Sequence, residues 1–352
     1  LGPTPDDLTR DAVASLLGVP LVEDSSLLQH LTARFQARGY DTIPEQGRRM
    51  ALVPKNGEVL PNPFGAAPGI VFHCSKEGLC ILLPGVPKEM KGIFSQGVEP
   101  LLREKYSQRL EKVFHRVVNT HGVPESILMD EIRGLFPGGA NDISLAFLPD
   151  EVGVRLRFST RQSPGADVAS EKLDDLEKLL SPVLDRYRYE AASGDLAEAV
   201  GAALLGAGET LAVAESCTGG LISKRMTDLP GSSRYFVGGV VAYSNDIKEK
   251  ILGVEESLNT AQGAVSQGVA TSMAERVAAL FGASAGIGIT GIAGPSGGSK
   301  EKPVGTVWYA VHLAGQTIAR REQFLGDRAA VRAKSAHAAL GMLLRLLEGR
   351  DG

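Results

Sequence analysis

TLAVAESCTGGLISKRM, residues 210–226, reads as an apolar strand, a glycine-rich loop and a helix in direct succession. The run Thr210–Ala214 is short and apolar, AESCTGG (214–220) carries the turn residues, and a helical stretch through Met226 follows. Working outward, a helix is expected at Leu196–Leu205, a strand at Val237–Tyr243 and a short helix at Ile247–Leu252. A helix at Ser266–Phe281 and a strand at Ala285–Thr290 come next. Strands at Gly305–Leu313 and Thr317–Phe324 and a last helix from Ala329 complete the series. Such alternation predicts an α/β layered domain over 191–352, with a mixed sheet covered by helices on both faces. No internal repeat is apparent.

Two further regions precede it, as expected for 352 residues when one domain averages roughly 100–150. Residues 1–104 alternate helical and strand-like text: a helix capped by Thr9 runs to Leu17, and Ser25–Arg38 sets Leu27, Leu28, Leu31 and Phe35 on one face. Gly69–His73 and Leu79–Leu83 read as buried strands beside the turn-rich segments NPFGAAPG (62–69) and PGVPKEM (84–90). This is part of an α/β domain. In residues 105–190, Val152, Val154, Leu156 and Phe158 alternate with Gly153, Arg155 and Arg157. After the linker-like SPGAD (163–167), Leu173, Leu176 and Leu180 recur at helical spacing, so this region is a small α+β module.

Composition narrows the function classes. Hydrophobic residues at 43% and charged residues at 22% suit an ordinary globular protein, and a net charge of −4 offers no general attraction to nucleic acid or anionic membrane. No apolar run approaches the roughly 18–20 residues that span a bilayer, and no basic-then-apolar leader is present, so no membrane partner and a cytoplasmic location are expected. Three cysteines form no disulfide framework, and Cys74 and Cys80 are expected to be buried thiols. Leu1 stands inside what reads as a glycine turn, so residues upstream of it are expected.

Several segments carry groups suited to chemistry. In AESCTGG, Ser216 and Cys217 are candidate nucleophiles, while Ser216 or Thr218 equally suits a helix cap and the glycines a ligand-binding loop. GSSRYF (231–236) leads into the strand ending at Tyr243, beyond which Ser244 or Asn245 caps a helix whose first turn carries Lys248. A lysine near a helix N-terminus meets partial positive charge, which lowers its pKa and suits it to act as a base, although a solvated surface lysine fits the same text. TGIAGPSGG (290–298) leaves a strand's carboxyl end, where substrate sites form. GIGITG (286–291) matches G-x-G-x-x-G but lies within the strand with no helix after it, so a dinucleotide fingerprint is rejected. In GDR (326–328), Asp327 suits a cap, and Arg328 either a bidentate phosphate contact or a solvated surface. LGPTPDD (1–7) joins a turn to Asp6 and Asp7, which would recruit a divalent cation or simply favour a helix dipole. His115 and His121 have no partners at metal-site spacing.

Taken together, LGPTPDD, NPFGAAPG and LPGVPKEM, then AESCTGG, GSS, YSNDIK, AVS, TGIAGPSGG, KPVGTVW and GDR, resemble the competence/damage-inducible protein A (CinA) family over nearly the whole chain. The resemblance implies a partial molybdopterin-binding-like domain, a KH-type module and a C-terminal nicotinamide-nucleotide amidohydrolase domain that converts nicotinamide mononucleotide to nicotinic acid mononucleotide and ammonia. It further implies Ser233 of GSS as nucleophile, Lys248 as its base, Tyr243 and Thr290 as site residues beside Gly291, and Arg328 on the phosphate. AESCTGG then becomes a substrate cradle comprising Glu215, Ser216, Cys217, Thr218, Gly219 and Gly220, and no cofactor is required. For the first domain it implies ADP-ribose pyrophosphatase activity with a divalent cation at Asp6 and Asp7, but the family's glycine motif and opening elements would lie upstream of Leu1. RGLFPGG (133–139) offers G-x-x-P where nucleic-acid-binding KH domains use G-x-x-G, so nucleic acid is not an expected partner. A homodimer is expected. The competing function is a non-catalytic interaction protein in competence or DNA damage response, which needs neither Ser233 nor Lys248.

Overall fold

Leu211, Ala212, Val213 and Ala214 are all fully buried, as a strand must be when helices cover both faces of its sheet. Alternation sends Leu211 and Val213 into one apolar cluster and Ala212 and Ala214 into another. The sheet runs in the order Phe236–Val241, Leu211–Glu215, Ala285–Gly291, Thr306–Leu313, Gln316–Gln323. Its first three strands are parallel and the last two antiparallel, so it is mixed. Helices Leu196–Ala207, Leu221–Thr227 and Arg328–Leu347 cover one face, and Gln267–Phe281 the other. That second helix lies close because Gly286 and Gly288 carry no side chain: a Cβ at either would collide with the carbonyl oxygen of Ala274 or Ala270. Helix packing therefore accounts for the G-x-G-x-x-G spacing.

The computed structural model describes residues 1–2, 4, 6–74, 78–107, 112–136, 143–161 and 166–350, and separates into two units, Leu1–Glu111 and Lys112–Gly352. The second unit joins this layered domain to an antiparallel sheet ordered Ile143–Pro149, Val154–Arg161, Val113–Thr120, Arg188–Tyr189. In Val154–Arg161 the expected alternation holds: Val154, Leu156 and Phe158 are buried against helices Glu125–Leu135 and Ala166–Leu184, while Arg155 and Arg157 face out. Pro137–Gly139 of RGLFPGG and Ser163–Gly165 of SPGAD lie outside the described residues.

The first unit holds an antiparallel sheet of Glu58–Leu60, Gly69–His73 and Leu79–Leu82 and a strand pair Leu21–Glu23 with Leu52–Pro54. Its helix Ser25–Gln36 is capped by Asp24, whose carboxylate accepts from the Leu27 N–H at 2.8 Å. Helix Thr9–Leu17 starts one position earlier than read, with Leu8 at the cap position and no side-chain cap. Helix Glu99–Tyr106 carries this unit past residue 104. Cys74 is exposed, contrary to expectation, because it lies one residue beyond the buried strand Gly69–His73; Cys80 is partly exposed. Among the described residues no helix is long and apolar enough to cross a membrane.

Candidate functional site

Three parallel strands end together: Glu215 stands beside Val241 on one side and Ile289 on the other. Loops leaving parallel strands at their carboxyl ends form the usual binding crevice of an α/β sheet. Here they enclose a cavity of about 240 Å³, into which Ser216, Cys217, Tyr243, Lys248, Thr290, Gly291 and Arg328 all open.

Ser216 extends the strand by donating its N–H to the Ile289 carbonyl at 3.0 Å, which fixes its position at the cavity wall. It does not cap the following helix. That role falls to Glu215, which is fully buried and accepts from the N–H groups of Gly220 (3.0 Å), Ile222 (3.1 Å) and Ser223 (2.8 Å) and from the Ser223 hydroxyl (2.8 Å). Thr218 offers its carbonyl to Arg332 at 2.6 and 3.2 Å, and Gly219 and Gly220 make the turn with positive φ. Glu215, Thr218, Gly219 and Gly220 thus shape the loop and do not line the cavity, which departs from their expected role as substrate contacts. Among the described residues the Ser216 hydroxyl has no hydrogen-bond partner, and it opens into the cavity.

Lys248 comes from helix Asn245–Lys250, capped by Ser244 at 3.3 Å to the Ile247 N–H. It is 2% exposed, and among the described residues its Nζ meets Asn245 Oδ1 alone, at 3.5 Å. Among the described residues no carboxylate pairs with it. Burial pushes its pKa below 10.5, against weaker opposing contributions from Cys217 and Glu249. The perturbation expected from the helix dipole is therefore produced by desolvation. Cys217 is equally buried, and burial pushes its thiol up to about 12, with Glu215 adding to the rise. A thiol held there stays protonated at neutral pH and is a poor nucleophile.

Tyr243 and Arg328 form the mouth. Arg328 donates to the Tyr243 hydroxyl at 2.8 Å and to the Gly294 carbonyl at 2.7 Å, while Asp327 caps the last helix through the Ala330 N–H at 2.9 Å. Thr290 donates its hydroxyl to the Ala264 carbonyl at 2.8 Å, tying the cavity wall to the neighbouring loop.

Ser233 is elsewhere. It lies exposed in the turn Ser232–Arg234, ahead of strand Phe236–Val241, whereas Tyr243 and Lys248 follow that strand. At about 3.3 Å per residue the strand alone separates the two by more than about 15 Å. Within this chain Ser233, expected as the partner of Lys248, does not line the cavity that Lys248 opens into, and the serine that does is Ser216. The missed signal was positional: GSS precedes its strand and AESCTGG follows one.

In the first unit, Asp7 accepts from the Thr4 hydroxyl (2.5 Å) and the Thr4 N–H (3.0 Å), contacts that hold its carboxyl well below the usual range. Asp6 is exposed. Among the described residues no group of three His, Cys, Asp or Glu could hold a metal ion.

The family description "CinA C-terminal domain" matches residues 193–347, "Probable molybdopterin binding domain" residues 1–104, and "Damage-inducible protein CinA KH domain" residues 115–189. A CinA-like protein of Gemmatimonas aurantiaca is 42% identical over 352 residues, covering 100% of this chain and 82% of its own length. A putative competence-damage inducible protein of Moorella thermoacetica is 40% identical over 351 residues, covering 99% and 83%. Among solved structures, a CinA superfamily protein of Klebsiella pneumoniae is 34% identical, covers 44% of this chain and 96% of that one, and has a TM-score of 0.43. A competence/damage inducible protein of Agrobacterium tumefaciens is 37% identical, covers 44% and 93%, and has a TM-score of 0.42.

Proposed function

Because this chain belongs to the CinA family, we propose that its C-terminal domain hydrolyses the carboxamide of nicotinamide mononucleotide, with Ser216 as nucleophile and Lys248 as the base that activates it. The observation that carries the reading is a buried lysine, without a carboxylate partner among the described residues, opening into the same cavity as a serine hydroxyl. A lysine in such a place costs stability and is retained where a neutral amine is useful. An interaction surface has no use for one.

In the proposed reaction Ser216 Oγ attacks the carboxamide carbon as its proton passes to Lys248 Nζ. The carbonyl oxygen gains the negative charge. Tyr243, whose oxygen accepts from Arg328, keeps its own proton to donate to that oxyanion. Collapse breaks the C–N bond, and Lys248 returns the proton to the departing ammonia. Water then attacks the ester carbon, Lys248 takes the water's proton and delivers it to Ser216 Oγ, and the carboxylate product leaves. No step needs a metal or redox cofactor. Arg328 stands at the mouth with N–H groups beyond those used for Tyr243 and Gly294, and these suit the substrate phosphate. No reaction is proposed for the first unit, where Asp7 is occupied by its own turn.

The test is ammonia release from nicotinamide mononucleotide by the purified chain. Turnover with stoichiometric nicotinic acid mononucleotide supports the reading; no turnover of this nucleotide removes it.

A further inference from the structure

A larger cavity, about 880 Å³, lies between the middle module and the last helix of the second unit and shares no residue with the Ser216–Lys248 cavity. Its volume falls within the roughly 300–1,000 Å³ of small-molecule sites. Strand Gln316–Gln323 contributes Arg320, the last helix contributes His337 and Arg345, and the middle module contributes His121. His121 is 2% exposed and His337 5%, and His121 Nε2, His337 Nδ1 and His337 Nε2 have no hydrogen-bond partner among the described residues. Burial pushes His121 down to about 3 and His337 to about 4, so at neutral pH each ring is neutral and presents one N–H and one lone pair.

The two guanidinium groups are more unusual. Arg320 and Arg345 are half-buried, and among the described residues neither has a carboxylate within salt-bridge distance. Arg320 Nε is buried without a hydrogen-bond partner among the described residues. They also oppose one another: burial lowers the Arg345 pKa and Arg320 and Arg350 lower it further, with Tyr309 opposing. Fixed, unpaired and mutually repelling cations in one cavity are unfavourable unless an anion joins them. The fold accommodates the arrangement closely. A Cβ on Gly341 would come within 2.7 Å of His121 Nδ1, so the helix has no side chain where the imidazole sits.

Acidic groups lie at the rim: Glu125, Asp150, Glu151 and Glu322 are all exposed. An extended polyanion crossing that rim would be repelled, whereas a compact anion passing it reaches the arginines. We propose that this cavity is a second binding site, taking a small phosphorylated metabolite whose mono- or diphosphate group is held by Arg320 and Arg345 and hydrogen-bonded by His121 and His337. A ligand there touches both the middle module and the C-terminal domain and holds them together.

The test titrates the full chain with inorganic pyrophosphate and, separately, inorganic phosphate by calorimetry at neutral pH. A saturable site dependent on both arginines is expected, weakened about tenfold or more in Arg320→Gln and in Arg345→Gln, since bidentate guanidinium contacts carry most of such binding. Because these variants could alter folding, the ring resonances of His121 and His337 are followed in the unmodified protein, where both should shift on adding pyrophosphate. Absence of binding by both anions, binding of unchanged strength in both Arg320→Gln and Arg345→Gln, or unshifted histidine resonances would each overturn the proposal. So would preferential binding of an RNA oligonucleotide to the same arginines. Failure here leaves the deamidase reading untouched, because ammonia release is read at the other cavity.

Discussion

Lys248→Met should make the protein more stable and inactive at once. Lys248 places an ammonium in a site that is 2% exposed, with one amide contact at 3.5 Å and no carboxylate partner among the described residues. Methionine has nearly the same length and no charge to desolvate. Replacing buried charge by apolar groups of similar volume stabilises by about 1–4 kcal/mol, and the lost Asn245 contact returns less than about 1 kcal/mol of that. A net gain of about 1–2 kcal/mol corresponds to roughly 2–8 °C in melting temperature for a unit of this size. The sign follows from the direction of the shift. The folded-state pKa is lowered below 10.5, so the penalty in the natural protein is fully present below the folded pKa. It fades as pH rises through that value and is gone above 10.5. The difference in melting temperature between variant and natural protein should therefore be largest near pH 6 and vanish above about pH 10.5. Thermal melts followed by circular dichroism across that range, with ammonia release measured alongside, supply the readout. A variant less stable at pH 6, or one that keeps activity, would refute the account of Lys248 as a buried, unpaired base.

The pH dependence of kcat/KM should rise through an apparent pKa below 10.5, reporting Lys248 losing its proton, and a profile flat from pH 6 to 10 would contradict it. Glu215→Gln should destabilise by about 2–4 kcal/mol, because an amide cannot accept all four hydrogen bonds that the carboxylate takes, and an unchanged urea midpoint would argue otherwise. Cys217→Ser should keep activity within about tenfold, since a thiol pushed up to about 12 is not the attacking group; a thousandfold loss would restore it as nucleophile. Arg328→Ala should raise KM for the mononucleotide far more than for its dephosphorylated riboside, and equal effects on both would remove the phosphate role.

The layered domain was legible because its strands are short apolar runs set off by glycine and polar loops. Thr210–Ala214 and Ala285–Thr290 each came within a residue of the observed strand at both ends. Cys74 was misjudged because apolar text does not show where a strand stops being covered. At the site, the loop leaving Thr290 was placed by the strand-end rule, whereas Thr290, Tyr243 and Arg328 were placed by the family resemblance. Ser233 was placed by motif order instead, and the same rule would have rejected it, since GSS enters a strand and AESCTGG leaves one. The roles within AESCTGG stayed hidden because only the fold shows that Glu215 satisfies the helix amides and so frees Ser216. The convergence of His121 and His337 on one cavity was beyond reach, since it depends on packing between two modules.

The most direct measurement of the central claim is to find the acylated residue. The chain is mixed with nicotinamide mononucleotide, quenched in acid within the first turnovers, digested and examined by mass spectrometry. The nucleotide acyl group is expected as an ester on the peptide carrying Ser216, absent in Ser216→Ala, and Ser233→Ala should release ammonia at the natural rate. An ester on Ser233 or Cys217, or full activity in Ser216→Ala, would contradict the account.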